Sequence, residues 1–597
     1  MPKIEVNEEV FYSLAGFERR NDSAADRAAE RAALEEALTC AKAELDEDSD
    51  KSLPASERTL KIELNDTNRP DLWATAGCAR QLKTYSSGTI PEYPFFSAPG
   101  NIRKTERKVI VEKSVQAVRP YLSGFIAGGK AVTDPSLRDM IQTQEKLSWN
   151  FGRKRRTISM GLYRISRIQW PIIYRAVDPD SVSFVPLQWE TPLTLREILK
   201  QHPKGREYAF ILEHKPLYPL LLDAKGEILS FPPIINSADL GAVKVGDTDI
   251  FIELTGDDQP LVTLAASIMA CDLADQGYTI TPVEVEHEFD TPFGKNVVFP
   301  YYFQTPVFCS LDRIEHFLGD KLNAVECVEA LRCMGVKAEA LKSREKGPAQ
   351  KQVKRGAGAD AANSEGVLAY PPEYRNDFLH AADVMEDVMI GRSLNSFKPQ
   401  RPGDFTVGRL SAITLFSRRV KEILAGMGYQ EMIYNYLGSR KDLVDNMRCD
   451  GSRIIRISNP MTENYEYVRD SIIASLVASE SVSGHSVYPH KIFEVGKIAF
   501  RTEIDTITRQ YSGFLHADKE ANFNSVAAQL QTLFYYLSRE YELEETDDPR
   551  FIPGRAAAII YKGNKTGVFG EIHPEVLENW GITVPCSAAE IDLDALI

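Results

Sequence analysis

A multidomain α+β fold is what this sequence predicts, and three observations carry the prediction. At 597 residues, 43% of them hydrophobic, the chain is too long for one core and apolar enough for several, so about three to five domains are expected. Stretches with alternating apolar residues are interleaved with stretches whose apolar positions fall three and four apart, so strands and helices intersperse along the chain. The last third collects many strand-like runs around few helices, which points to an antiparallel sheet flanked by helices.

The eight cysteines are scattered with no Cys-x-x-Cys pair, which argues against zinc ribbons and a disulfide framework and leaves reduced thiols. The start, 1–11, lacks the basic opening and apolar run of a signal peptide. No apolar stretch approaches the ~20 residues of a spanning helix, and the nearest, 260–273, is interrupted by Asp272. A cytoplasmic protein without a membrane partner is expected. A net charge of −15 speaks against a chain whose main business is coating nucleic acid. Basic clusters at 103–113, at Arg153-Lys154-Arg155-Arg156 and at 342–355 nevertheless offer local phosphate contacts, beside the plainer reading of solvated loops.

Taken in order, 24–46 reads as a surface helix ending in an acidic run, and Lys61-Ile62-Glu63-Leu64 as a strand. The turn Asn65-Asp66-Thr67-Asn68-Arg69-Pro70-Asp71 leads into a helix over 72–82 and closes a small domain, 1–92. An α+β domain follows over 93–292, with strands at 108–112, 206–212, 250–254 and 283–289, helices at 135–150 and 260–275, and proline turns at Tyr218-Pro219 and Phe231-Pro232-Pro233. The segment Gly161 to Tyr163 reads as core packing of its aromatic side chain, with RNA contact as the alternative.

Two helices, 311–317 and 324–334, joined by Leu318-Gly319-Asp320, predict a helix-turn-helix-like module within 293–398. It contains a polar insertion, 342–366, that reads as a linker. The last domain, 399–597, predicts a helix over 409–427 and strands at 431–437, 454–457, 490–500, 512–515, 556–561 and 566–569, with a helix over 524–541.

Asp377 reads as the end of a strand-like run, and Asp383, Glu386 and Asp387 follow at i, i+3 and i+4 of a helix. Such carboxylates need a cation, and an all-oxygen set selects Mg2+ or Ca2+. Asp383 with Glu386 also reads as an ordinary helix-start capping pair.

The Asn68-Arg69-Pro70-Asp71-Leu72 core, the segment 376–390, Asn459-Pro460-Met461-Thr462-Glu463 with Val468-Arg469-Asp470-Ser471, Ile492-Phe493-Glu494-Val495-Gly496 and Gly567-Val568-Phe569-Gly570-Glu571-Ile572-His573-Pro574 together resemble the beta subunit of phenylalanyl-tRNA synthetase. The resemblance covers nearly the whole chain apart from 342–366. With no room for the extra domains of the bacterial version, it is similar to the compact archaeal and eukaryotic type. It implies an editing domain, a B5-like helix-turn-helix module and a catalytically inactive class II synthetase-like C-terminal domain. It also implies an α₂β₂ assembly with a catalytic alpha subunit that handles ATP and phenylalanine, and tRNA(Phe) as partner.

The resemblance further implies Mg2+ at Asp377, Asp383, Glu386 and Asp387, and hydrolysis of tRNA mischarged with tyrosine. Rejecting a substrate by one hydroxyl requires a site that hydrogen-bonds the phenol. Leu221, Ser230, Asn236, Glu253 and Thr255 are the candidates, with Glu253 as phenol acceptor, Ser230, Asn236 and Thr255 orienting water or ester, and Leu221 shaping the ring pocket. Without a nucleophile–base pair, attack by positioned water is expected. The plain alternative makes Glu253 and Thr255 outward residues of an exposed strand and Asn236 a turn residue. In the last domain Arg469 holds a motif-like position but is followed by Asp470-Ser471, and 567–577 contains no Arg. A self-sufficient ATP grip is therefore not expected, and Arg469 reads as structural. A free-standing ligase and a non-editing RNA-binding scaffold are the rival readings.

Overall fold

The computed structural model describes residues 2–17, 24–48, 50, 52–54, 57–341, 364–403 and 406–597. Two compact units divide the chain, 1–400 and 401–597. All eight cysteines are free, and no described helix is long and apolar enough to cross a membrane.

The first unit opens with a three-stranded antiparallel sheet in the order Lys3–Asn7, Thr59–Leu64, Ala43–Glu47. The helix expected over 24–46 stops at Leu38. Lys42 takes a left-handed φ of 49°, which no helix tolerates, and the alternating Ala43 and Leu45 then enter the sheet. The helix expected over 72–82 runs Thr75–Ser87 behind a 3₁₀ turn, Pro70–Leu72.

A ten-stranded mixed sheet follows. Its path runs Ile235–Asn236, Ile228–Phe231, Tyr218–Leu222, Ile172–Val177, Lys108–Val111, Thr279–His287, Tyr121–Gly128, Ile250–Gly256, Ile158–Arg164, and Asn296–Phe299 branches from Thr279–His287. Strand alternation divides two cores. Phe125, Ile158, Met160, Ile250, Ile252 and Leu254 pack under the helix Gln259–Asp275, while Leu122, Tyr163, Tyr174, Leu221 and Phe251 pack on the opposite face. Two expectations fail here. Residues 206–212 are helical, because His202 caps and Pro203 opens the helix Pro203–Tyr208, a start signal stronger than the apolar run behind it. Tyr218-Pro219 begins a strand and is not a turn.

Further along, the helices Leu311–Leu318 and Ala324–Cys333 pack with a sheet ordered Val307–Ser310, Gly366–Tyr370, Lys337–Leu341. Gly366 thus belongs to a strand, residues 364 and 365 precede it without regular structure, and 342–363 of the expected insertion lies outside the described residues. Asp377 does not end a strand, since Pro371 and Pro372 stop the pairing after Tyr370.

The second unit is a seven-stranded sheet in the order Gln430–Glu431, His490–Arg501, Thr506–Ala517, Cys586–Asp592, Asn564–Ile572, Phe551–Tyr561, Glu542–Glu545. Every pair is antiparallel except the first. The helices Ala412–Gly426 and Phe523–Leu537 cover one face and Ile473–Ser481 the other. The strand expected over 431–437 is split, with Leu437–Gly438 pairing in a separate small sheet. The helix expected over 524–541 ends at Leu537, where Ser538 turns left-handed.

Candidate functional site

Glu253 lies mid-strand in Ile250–Gly256 and is 2% exposed. Its cross-strand neighbours are Gly124 on one side and Gly161 on the other, so no side chain flanks the carboxylate along the sheet. A Cβ at Gly161 would run into the Tyr163 hydroxyl and the Glu253 carboxylate. The Tyr163 hydroxyl sits 2.9 Å from Glu253 Oε2 and 2.8 Å from Ser230 Oγ. Its one proton serves the carboxylate while its lone pairs accept from the serine. Glu253 Oε1 is buried with no hydrogen-bond partner. Burial pushes the carboxyl up to about 7, against the Tyr163 hydrogen bond, the Arg119 charge and the Thr255 hydroxyl, which all favour the anion.

Ser230 and Tyr163 stand near opposite ends of the sheet path, so the sheet must roll for them to meet. A second contact across the same closure, Asn236 Nδ2 to the Leu162 carbonyl at 3.5 Å, agrees. Leu221, Ser230 and Asn236 form one cross-strand row, and the roll brings that row to Glu253. Thr255, two residues along the same face, is 3.0 Å from both Arg119 Nε and Ser159 Oγ. All five sequence candidates therefore gather at one rolled end, and Glu253 and Thr255 are buried strand residues, not outward ones. Sequence reasoning missed Tyr163, Arg119, Ser159 and the two flanking glycines as parts of the site. The spacing Gly161-x-Tyr163, small then large on one strand face, was the available signal.

The four acids expected to share a metal are divided among protein partners. Arg375, 1% exposed, holds Asp377 through Nε at 2.9 Å and Asp387 through Nη2 at 3.1 Å. Against the pull of burial, that guanidinium keeps Asp377 below the usual carboxylate range. Asp383 accepts from the backbone N–H of Leu379 and His380 at 2.8 and 2.6 Å, in a capping box at the start of the helix Ala381–Gly391. Glu386 pairs with Lys42. Among the described residues no group of three or more His, Cys, Asp or Glu is placed to hold a metal ion. The donor chemistry suits Mg2+, but this disposition does not fit it.

In the second unit Arg469 is fully buried, with Nη1 2.6 Å and Nη2 2.8 Å from the Glu494 carboxylate and Nε 3.2 Å from the Lys497 carbonyl. Its donors are taken up within the protein, by Glu494, Lys497 and Ser475. A cavity of about 380 Å³ lies nearby, lined by Arg448, Arg453, Asp470, Asp548, Arg550 and Glu590. Arg550 in turn is bound to Asp548 and Glu590, both at 2.7 Å. His573 caps the helix Pro574–Asn579 through Nδ1, a structural role.

Two family models match: the tRNA synthetase B5 domain at residues 307–392 and the phenylalanyl tRNA synthetase beta chain CLM domain at 399–593. The chain is similar to a phenylalanine–tRNA ligase beta subunit of Treponema pallidum, 44% identical over the whole of both chains. It is also similar to one of Borrelia hermsii, 44% identical over 90% of this chain and 92% of the relative. A crystal structure of an N-terminal fragment of the phenylalanyl-tRNA synthetase beta subunit from Pyrococcus horikoshii superposes with a TM-score of 0.55 at 32% identity, covering 65% of this chain and 99% of the fragment. With nearly half the positions identical along its full length, the chain belongs to the phenylalanine–tRNA ligase beta-subunit family.

Proposed function

We propose that this chain is the beta subunit of a phenylalanine–tRNA ligase in which a separate alpha subunit joins phenylalanine to tRNA(Phe) with ATP, and in which the beta chain hydrolyses tRNA mischarged with tyrosine. One observation carries the editing half: a buried carboxylate flanked by glycines, with one oxygen oriented by Tyr163 and the other left without a partner. A tyrosyl phenol can donate to Glu253 Oε1, whereas a phenylalanyl ring leaves that acceptor unsatisfied, so discrimination follows from the unmet hydrogen bond. Ser230, Asn236 and Thr255 supply hydroxyls and an amide to orient ester or water, and Leu221 supplies the apolar wall. No nucleophile–base pair stands at the site, so positioned water is the attacking group.

Ester hydrolysis of Tyr-tRNA(Phe) by the assembled enzyme, compared with a Glu253→Gln form, tests this reading. Wild type should deacylate and the variant should lose at least about tenfold in rate. Equal rates would leave the scaffold reading, in which the same surface binds RNA without editing.

The buried pairing of Arg469 with Glu494 supports placing ATP chemistry on the alpha subunit, in a cytoplasmic α₂β₂ assembly. The archaeal and eukaryotic type is our reading of the layout; the two full-length relatives named above, from Treponema and Borrelia, are bacterial. Magnesium at Asp377, Asp383, Glu386 and Asp387 stands as a proposal resting on family resemblance. An ion there must displace Arg375 and Lys42, and no step of the reaction is routed through it. Anomalous scattering from a Mn2+-soaked crystal of the complex decides it: a peak at these carboxylates supports the ion, and its absence leaves Arg375 as the neutralising cation.

A further inference from the structure

Beside the rolled end of the ten-stranded sheet, residues 152–157 make a tight basic loop. Arg153, Lys154 and Arg155 hold consecutive left-handed φ angles of 49°, 57° and 62°, a conformation that side-chain-bearing residues rarely adopt once, let alone three times in succession. Backbone bonds fix it, from Lys154 N to the Trp149 carbonyl at 2.7 Å and from Arg155 N to the Ser148 carbonyl at 2.8 Å. The conformation fans the basic side chains over aromatic rings. Lys154 Nζ lies 5.3 Å from the Trp149 ring, the Arg155 guanidinium 4.4 Å from Tyr208 and the Arg156 guanidinium 5.5 Å from Phe210. Trp149 is 44% and Phe210 37% exposed. Arg153, Lys154 and Arg156 have no carboxylate within ion-pair distance among the described residues, in a chain whose net charge is −15.

The loop is also wired to the site. Arg155 Nη1 donates to the carbonyls of Pro233 and Ile234, at 3.2 and 3.0 Å, in the turn between Ser230 and Asn236. The Arg156 carbonyl accepts from Arg119 Nη1 at 2.9 Å, and Arg119 also holds Thr255 and Ser159. We propose that this surface, with Trp149, Arg153, Lys154, Arg156 and Phe210 outward, docks the single-stranded 3′ end of an aminoacylated RNA and leads its ester to the rolled end of the sheet. Unpaired cations meet phosphates, exposed rings stack bases irrespective of sequence, and the combination suits single-stranded nucleic acid. An acidic peptide would use the cations but not the two exposed rings. The docking half stands on the loop alone, and the delivery half rests on the editing reading above.

The test uses the alpha–beta complex and fluorescence anisotropy, with tRNA(Phe) either intact or trimmed of its single-stranded 3′ end. Combined Arg153→Ala, Lys154→Ala and Arg156→Ala should weaken intact tRNA at least about tenfold near physiological salt and lower the salt slope by about 2. Trp149→Ala should weaken it about tenfold with the slope unchanged. Trimmed tRNA should bind wild type and variants alike. Arg153→Lys with Arg156→Lys should retain binding, which, with an unchanged melting profile, separates docking from misfolding. Unchanged affinity, equal losses for intact and trimmed RNA, or loss of the alpha subunit on purification would each overturn docking, the last marking a protein interface. Glu253→Gln should impair Tyr-tRNA hydrolysis without altering tRNA affinity. If hydrolysis is unaffected there while the loop variants still lose the intact RNA, the editing reading falls and docking stands.

Discussion

Glu253 in the first unit and Arg469 in the second are both buried charges beside a sheet, and they differ in how they are answered. Arg469 meets a bidentate carboxylate and a carbonyl, and nothing of it is left over. Glu253 accepts from the Tyr163 phenol, lies near enough to the Arg119 charge and the Thr255 hydroxyl to be influenced by them, has no ion pair among the described residues, and keeps Oε1 without a hydrogen-bond partner. A fully answered buried charge holds structure together, while an under-answered one marks a candidate functional group. The second unit thus binds its buried cation internally, and the first leaves one oxygen of a buried acid without a hydrogen-bond partner.

Breaking the answered pair should give the largest effect on stability. Arg469→Ala leaves Glu494 buried and uncompensated, and should cost about 3–5 kcal/mol, visible as a lowered melting transition of the second unit. An unchanged transition would remove the contrast. The open acid should behave oppositely. Because the folded carboxyl titrates near 7 and the ordinary value is 4.5, the folded state binds its proton more tightly than the unfolded chain. The stability this confers is present below about pH 4.5 and is lost as pH rises through 7. Glu253→Gln should therefore be more stable than wild type at pH 8, by about 2–3 kcal/mol, with the gap closing toward pH 4.5. Denaturant titrations of the complex at the two pH values measure it.

Smaller effects sharpen the geometry. Gly161→Ala forces a methyl toward the Tyr163 hydroxyl and Glu253 and should cost about 1–3 kcal/mol along with the editing rate; a variant as active as wild type would show that the glycine slot is unused. Tyr163→Phe removes one buried hydrogen bond, at about 1–2 kcal/mol. It also withdraws the interaction that favours the Glu253 anion, so the pH midpoint of Tyr-tRNA hydrolysis should move upward. A fixed midpoint would mean that Tyr163 only packs.

Much of this was legible along the chain. The strand expected over 250–254 falls inside Ile250–Gly256, which puts Glu253 and Thr255 on one face, and the helix expected over 260–275 matches Gln259–Asp275 almost to the residue. What failed was local competition: Lys42 breaking a helix that composition favoured, and His202 with Pro203 starting one where apolar residues suggested a strand. Tyr163 was harder to read: it stands on the strand paired with that of Glu253, but its contact with Ser230, the residue the sequence did offer, forms only when the sheet rolls. The same non-locality hid Arg375, which reaches Asp377 and Asp387 across a turn and gives both carboxylates a protein cation.

The most direct measurement is the rate at which the alpha–beta complex deacylates Tyr-tRNA(Phe) between pH 6 and 8.5, for wild type and Glu253→Gln. A wild-type rate climbing through a midpoint near 7, absent from a slow, flat variant, is the expected result. Superimposable profiles would contradict the assignment of Glu253 as the group that reads the phenol.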